Sequence, residues 1–163
     1  GDVELETESG MGSRFTVRIE APLTQCKEQA AEALSDSNLP VEVVRNILCV
    51  DDNPRNLYVL GAMLRAAGHR TTECASGIEA LDLMSREKFD VVLLDMVMPE
   101  MDGLDVLARL RAGGGPNAAT PVIACTANVL PAHLDSYRKA GTAGVLAKPI
   151  DARAMLRAVA GAA

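Results

Sequence analysis

The sequence predicts an α/β domain over residues 46–163, a doubly wound parallel sheet of five strands covered by helices on both faces. Three observations lead there. Short, continuously apolar runs recur, ILCV at 47–50, VVLL at 91–94 and PVIAC at 121–125, and strands apolar along both faces belong in a sheet buried on both sides. Longer amphipathic stretches separate them, giving each strand a helix-length, right-handed crossover to the next. Polar residues follow the apolar runs, at the carboxyl ends where functional groups gather in such a sheet.

Each element has its own signals. After the first strand, Asn53 can cap a helix, Pro54 suits its first turn, Leu57, Leu60 and Leu64 share one face, and Gly68 fits its end. A second strand is expected around 69–73. Ser76 then caps a helix carrying Ala80, Leu81 and Met84, and Gly103 opens another carrying Leu104, Leu107 and Leu110. Beyond the loop AGGGPNAATP come the fourth strand, a helix near 131–140, a short strand VLA at 145–147 and a last helix from about Asp151. The glycine run Gly113 to Gly115 has no following Lys-Ser or Lys-Thr and opens no helix, so it reads as a flexible loop and not a phosphate cradle.

Residues 1–20 differ in character. VELETESG, GMGS and RFTVRIEAP predict two strands of alternating pattern joined by a glycine turn, a unit only marginally stable alone. Composition then excludes several functions. The net charge is −6, with nine acidic and four basic side chains in residues 1–45 against thirteen and twelve in the remainder. Neither part clusters Lys and Arg, and 2% aromatic content leaves little to stack on bases, which excludes direct nucleic-acid binding. No apolar run is long enough to span a bilayer, and no signal peptide opens the chain. Cys26, Cys49, Cys74 and Cys125 form no C-x-x-C pair and are expected as reduced thiols in a cytoplasmic setting.

The candidate chemistry sits at strand ends. Asp51 and Asp52 follow the first strand, Asp95 the third, Thr126 the fourth and Lys148 the fifth. Three carboxylates meeting at one sheet edge repel unless neutralised, and a hard cation such as Mg2+ with oxygen ligands is the usual remedy. Such an ion bridges a carboxylate to a transferring phosphoryl group while a lysine and a hydroxyl contact the remaining oxygens, with the central Asp95 as nucleophile. Singly, each residue has an ordinary role as a cap, a turn residue or a solvated lysine. Their joint placement favours the functional reading.

LCVDDN, VVLLDMVMPEMDG, VIACTAN and GVLAKP resemble the successive signature motifs of two-component response-regulator receiver domains, across residues 46–163. The resemblance implies the flavodoxin-like strand order 2-1-3-4-5 and bacterial two-component signalling. It also implies Asp95 as phospho-acceptor, Asp51, Asp52, Asp95 and the backbone carbonyl of Val97 as Mg2+ ligands, Thr126 as switch hydroxyl and Lys148 as the phosphate-contacting lysine. A cis bond between Lys148 and Pro149 is implied as well. One departure stands out: an aromatic often lies three residues before the lysine, where it turns inward as the threonine moves, and that position here is Val145.

ESGMGSRFTVRI in turn resembles the last strands of a histidine-kinase ATP-binding domain, with Gly10 and Gly12 matching its final glycine motif. That implies a C-terminal piece of a hybrid sensor kinase: kinase strands at 1–20, a linker at 21–45, the receiver at 46–163 and no effector domain after the last helix. The piece would lack the nucleotide-binding core and leave ATP chemistry, and any membrane anchor, to its parent. Its partners would be a phosphohistidine of a sensor kinase as donor and a histidine phosphotransfer protein as acceptor. Two rivals remain. An aspartate-nucleophile phosphatase would need a second Asp where Val97 stands, and a receiver-like interaction module that is never phosphorylated fits Val145 but not the full acidic and lysine set.

Overall fold

The computed structural model describes residues 2–8, 12–18 and 43–162, so Cys26 and most of the expected linker lie outside the described residues. These residues fall into two compact units. In the first, β1 (Asp2–Glu8) and β2 (Gly12–Arg18) pair antiparallel, with Asp2 opposite Arg18 and Glu8 opposite Gly12. The two expected strands are therefore present as an antiparallel pair, and the expected glycine turn between them lies outside the described residues.

The second unit holds β3 (Asn46–Val50), α1 (Pro54–Ala66), β4 (Arg70–Cys74), α2 (Gly77–Arg86) and β5 (Val91–Asp95). It continues through α3 (Gly103–Ala112), β6 (Val122–Thr126), α4 (Pro131–Lys139), β7 (Gly144–Ala147) and α5 (Ala152–Gly161). All four strand pairings are parallel and the order is β4-β3-β5-β6-β7, which is 2-1-3-4-5 within this sheet. The predicted fold class is the observed one.

The continuous apolar runs serve two cores at once because successive strand residues point to opposite faces. Ile47, Cys49, Val91, Leu93, Ile123 and Cys125 pack with Leu57, Leu60 and Leu64 of α1 and Met155 of α5. Leu48, Val50, Val92, Leu94, Val122 and Ala124 pack with Met84 of α2, Leu107 of α3 and Tyr137 of α4 on the other side. Each fully buried aliphatic chain contributes about 1.5–3 kcal/mol, so a polar substitution on either face of β5 opposes a whole layer.

Local chemistry sets the element ends. Asn53 caps α1 by accepting from the Arg55 amide, and Ser76, Asp102 and Asp151 accept likewise at α2, α3 and α5. Gly68, at φ +88°, ends α1 with paired bonds from His69 to the Leu64 carbonyl and from Gly68 to the Arg65 carbonyl. Gly103 is required for a different reason: a Cβ there would lie 2.6 Å from the Asp95 carbonyl oxygen and 2.8 Å from the Met96 Cα. The start of α3 thus rests directly on the backbone that carries Asp95.

Cys49, Cys74 and Cys125 are free and buried, and burial pushes each thiol up to about 12. They stay protonated and inert at neutral pH. Among the described residues no helix is long and apolar enough to cross a membrane.

Candidate metal and phosphoryl site at the sheet edge

Parallel pairing brings the ends of β3, β5, β6 and β7 to one edge, and short backbone bonds hold them in register. The Asp51 amide donates to the Cys74 carbonyl at 3.3 Å, Met96 to Cys125 at 3.0 Å and Lys148 to Thr126 at 2.8 Å. Asp95 is the last residue of β5, paired with Cys125, and Thr126 the last of β6, paired with Ala147. The peptide bond between Lys148 and Pro149 is cis, as the family resemblance implies.

Lys148 is the link. Its Nζ lies 2.7 Å from Asp51 Oδ2 and 2.7 Å from Asp95 Oδ2, donating to both. The two carboxylates are 1% and 6% exposed, whereas Asp52 is exposed. One carboxylate oxygen from each of Asp51, Asp52 and Asp95 falls within 4.8 Å of the others. Against one ammonium, three carboxylates leave two uncompensated negative charges, the charge of a divalent cation. All-oxygen, hard donors suit Mg2+, so the residues present fit that ion.

Burial raises the Asp95 carboxyl above the ordinary carboxylate range; Lys148 and the Val97 amide pull it down, and Asp51 adds to the rise. For Lys148 burial works to lower the ammonium, but its hydrogen bonds to Asp51 and Asp95 outweigh burial and the net shift is upward. Both directions follow from two buried acids sharing one base. The lysine stays charged, and burial leaves Asp95 harder to ionise than an ordinary carboxylate without further positive charge.

Val97 contributes its amide, which donates to Asp95 Oδ1 at 3.2 Å, while its side chain is exposed. Thr126 is wholly buried, but its hydroxyl accepts from the Asn128 amide at 3.0 Å and sits 3.5 Å from the Tyr137 hydroxyl. It belongs to the site by position and, as it stands, bonds elsewhere.

Two neighbours of these residues escaped the sequence reading. Asn56, on the first turn of α1, donates Nδ2 to Asp51 Oδ1 at 2.9 Å and to Oδ2 at 3.1 Å, beside the Asn53 amide at 2.9 Å. A poor helix former one turn into a helix is a signal that could have found it. Tyr137 had no such signal, since an aromatic on an amphipathic helix is ordinarily core.

A family model for the response regulator receiver domain matches residues 47–160. The receiver domain of sensor histidine kinase PA1611 from Pseudomonas aeruginosa PAO1, solved with a magnesium ion coordinated in its active site cleft, is 36% identical with a TM-score of 0.65, covering 72% of this chain and 95% of that one. Chemotaxis protein CheY4 of Vibrio cholerae is 26% identical with a TM-score of 0.69, covering 74% of this chain and all of its own. The aerobic respiration control sensor protein ArcB of Escherichia coli K12 is 33% identical over 155 residues, 95% of this chain and 19% of that protein. Sensor histidine kinase AruS of Pseudomonas aeruginosa is 36% identical over 160 residues, 98% of this chain and 15% of that protein. The chain spans less than a fifth of the length of these curated relatives.

Proposed function

The chain belongs to the response regulator receiver domain family, and on that premise we propose that it accepts a phosphoryl group on Asp95 from a phosphohistidine, in a Mg2+-dependent reaction. The observation that carries this reading is the position of Lys148, bonded at 2.7 Å to Asp95 and Asp51 at an edge where three carboxylate oxygens converge.

In the transfer, a carboxylate oxygen of Asp95 forms the new bond to phosphorus while the donor's phosphorus–nitrogen bond breaks and the imidazole leaves with the electron pair. Asp95 must react as the anion, and Lys148 favours that form against the burial that opposes it. Freed from Asp95 Oδ2 as the oxygen becomes an ester oxygen, the Lys148 ammonium turns to the phosphoryl oxygens. Asp51 and Asp52, with Asp95 and the Val97 carbonyl, would hold Mg2+, which when bound balances the charge of the transferring group. Asn56 and the Asn53 amide keep Asp51 oriented for that task. Thr126 completes the site by turning its hydroxyl toward the phosphoryl group, and this changes the surface of the β6–α4–β7 region.

The same reading makes the chain part of a hybrid sensor kinase of the cytoplasm, with residues 1–20 closing the ATP-binding domain, 21–45 as linker and a histidine phosphotransfer partner downstream. Alignments of 155 and 160 residues with sensor kinases support it, because they reach well into the residues ahead of Asn46. A second reading, an interaction module that is not phosphorylated, draws on Val145, a half-buried valine where an aromatic switch would stand. Phosphoramidate separates the two, since its phosphorus–nitrogen bond stands in for phosphohistidine. The first reading requires a Mg2+-dependent, hydroxylamine-labile acyl phosphate; its absence at saturating Mg2+ and donor leaves the second.

A further inference from the structure

The helix α4 is the least secured of the five. Tyr137 is its one buried residue, and the other eight of Pro131–Lys139 are exposed or half-buried. It starts at Leu130 without a side-chain cap, where α1, α2, α3 and α5 each have one. A groove of about 360 Å3 runs beside it, lined by Leu134 and Arg138 of α4 and by Val145 and Ala147 of β7. Valine at 145 is too short to fill that groove, so α4 has room to shift on its sheet side. The ring that fixes the helix is also the one whose hydroxyl meets Thr126, at 3.5 Å and 5% exposure.

We infer that Tyr137 couples the state of Asp95 to α4, an inference that rests on Asp95 being the phosphoryl acceptor. The Thr126 hydroxyl gives its one proton to the Asn128 carbonyl at 3.3 Å, so in the 3.5 Å contact the Tyr137 phenol donates and the Thr126 oxygen accepts. Turned toward a phosphoryl oxygen on Asp95, the Thr126 hydroxyl leaves the Tyr137 phenol, which then lies buried without the partner it has among the described residues. A buried polar group so orphaned is unfavourable, and the relief open to it is a shift of α4 that carries the phenol to water. Tyr137 is thus a positioning residue, holding Thr126 away from Asp95 and α4 on the sheet until transfer occurs. It takes on, from α4, a role that Val145 cannot perform from β7.

The test is hydrogen exchange on the full chain, read by mass over residues 131–139 before and after acetyl phosphate with Mg2+, with intact mass taken in parallel. Tyr137→Phe keeps the ring and removes the hydroxyl; Tyr58→Phe, an exposed phenol on α1, is the control. In the parent and the control, phosphorylation raises α4 exchange about fivefold, the change expected for losing one neutral hydrogen bond. Tyr137→Phe shows that increase before any donor is added and little more afterwards, with an undiminished adduct. A Tyr137→Phe chain that exchanges and responds like the parent overturns the inference. Failure of the parent to form an adduct overturns the Asp95 reading and with it the coupling, while the comparison before donor addition still decides whether this hydroxyl holds α4.

Discussion

Lys148→Met keeps the reach of the side chain and removes the ammonium, leaving Asp51 and Asp95, 1% and 6% exposed, facing each other without a cation. Breaking a buried ion pair from one side costs about 3–5 kcal/mol. The cost here falls at the lower end, about 3 kcal/mol, because the lysine is itself 20% exposed and Asn56, Asn53 and Val97 continue to donate to the carboxylates. For a domain of about 120 residues that lowers Tm by about 10 °C. The assay is thermal unfolding followed by circular dichroism in EDTA at pH 7.5, repeated with Mg2+, which should recover much of the loss by replacing the missing positive charge.

The pH dependence has a definite sign. Burial already raises the Asp95 carboxyl, and without Lys148 it rises further. A carboxyl raised above its unfolded value contributes stability that is present below the unfolded value and lost as pH rises through the folded one. The deficit of the variant is therefore small at acid pH and widens toward neutrality. A Tm within about 2 °C of the parent in EDTA at pH 7.5 would refute the claim that Lys148 neutralises the pair. A deficit independent of pH would assign the loss to packing instead.

Other sites give sharper single outcomes. Asp51→Asn removes one of three convergent carboxylates and should weaken Mg2+ binding at least about tenfold by titration calorimetry, with the fold intact. Thr126→Ala should take up the phosphoryl group but show a blunted change in α4 exchange; a full response would remove Thr126 from the switch. Gly103→Ala pushes a Cβ against the Asp95 carbonyl and Met96 Cα, and should cost about 1–3 kcal/mol in urea unfolding while slowing uptake at Asp95. Asn117→Ala strips partners from the Met84 and Glu87 carbonyls and the Phe89 amide, bonded at 2.7, 2.6 and 2.9 Å; a loss of about 2–4 kcal/mol is expected, and an unchanged unfolding midpoint would count against it.

The sheet was legible because β3, β5 and β6 are apolar on both faces and four of its five helices carry their own side-chain caps. Asn53, Ser76 and Gly68 act where the sequence places them. Asp51, Asp52, Asp95 and Lys148 were legible as a group for a topological reason: parallel strands deliver their carboxyl ends to one edge, so position along the chain translates into proximity. Hydrogen-bond partners were not legible, because they depend on side-chain direction after packing. Thr126 follows the expected strand yet bonds Asn128 and Tyr137, and Asn56 reaches Asp51 across a helix turn. The loop AGGGPNAATP shows the same limit. Its glycines are exposed, but Asn117 within it is 1% exposed and bonds both Met84 of α2 and the Phe89 amide just ahead of β5, a role that no local pattern announces.

The central claim is that Asp95 is the phosphoryl acceptor, and intact mass spectrometry of the chain incubated with acetyl phosphate, with and without Mg2+ and beside Asp95→Asn, tests it most directly. The account predicts one phosphoryl adduct per chain that requires Mg2+ and is lost in Asp95→Asn. An adduct of equal extent on the variant, or none on the parent at saturating Mg2+ and donor, would contradict it.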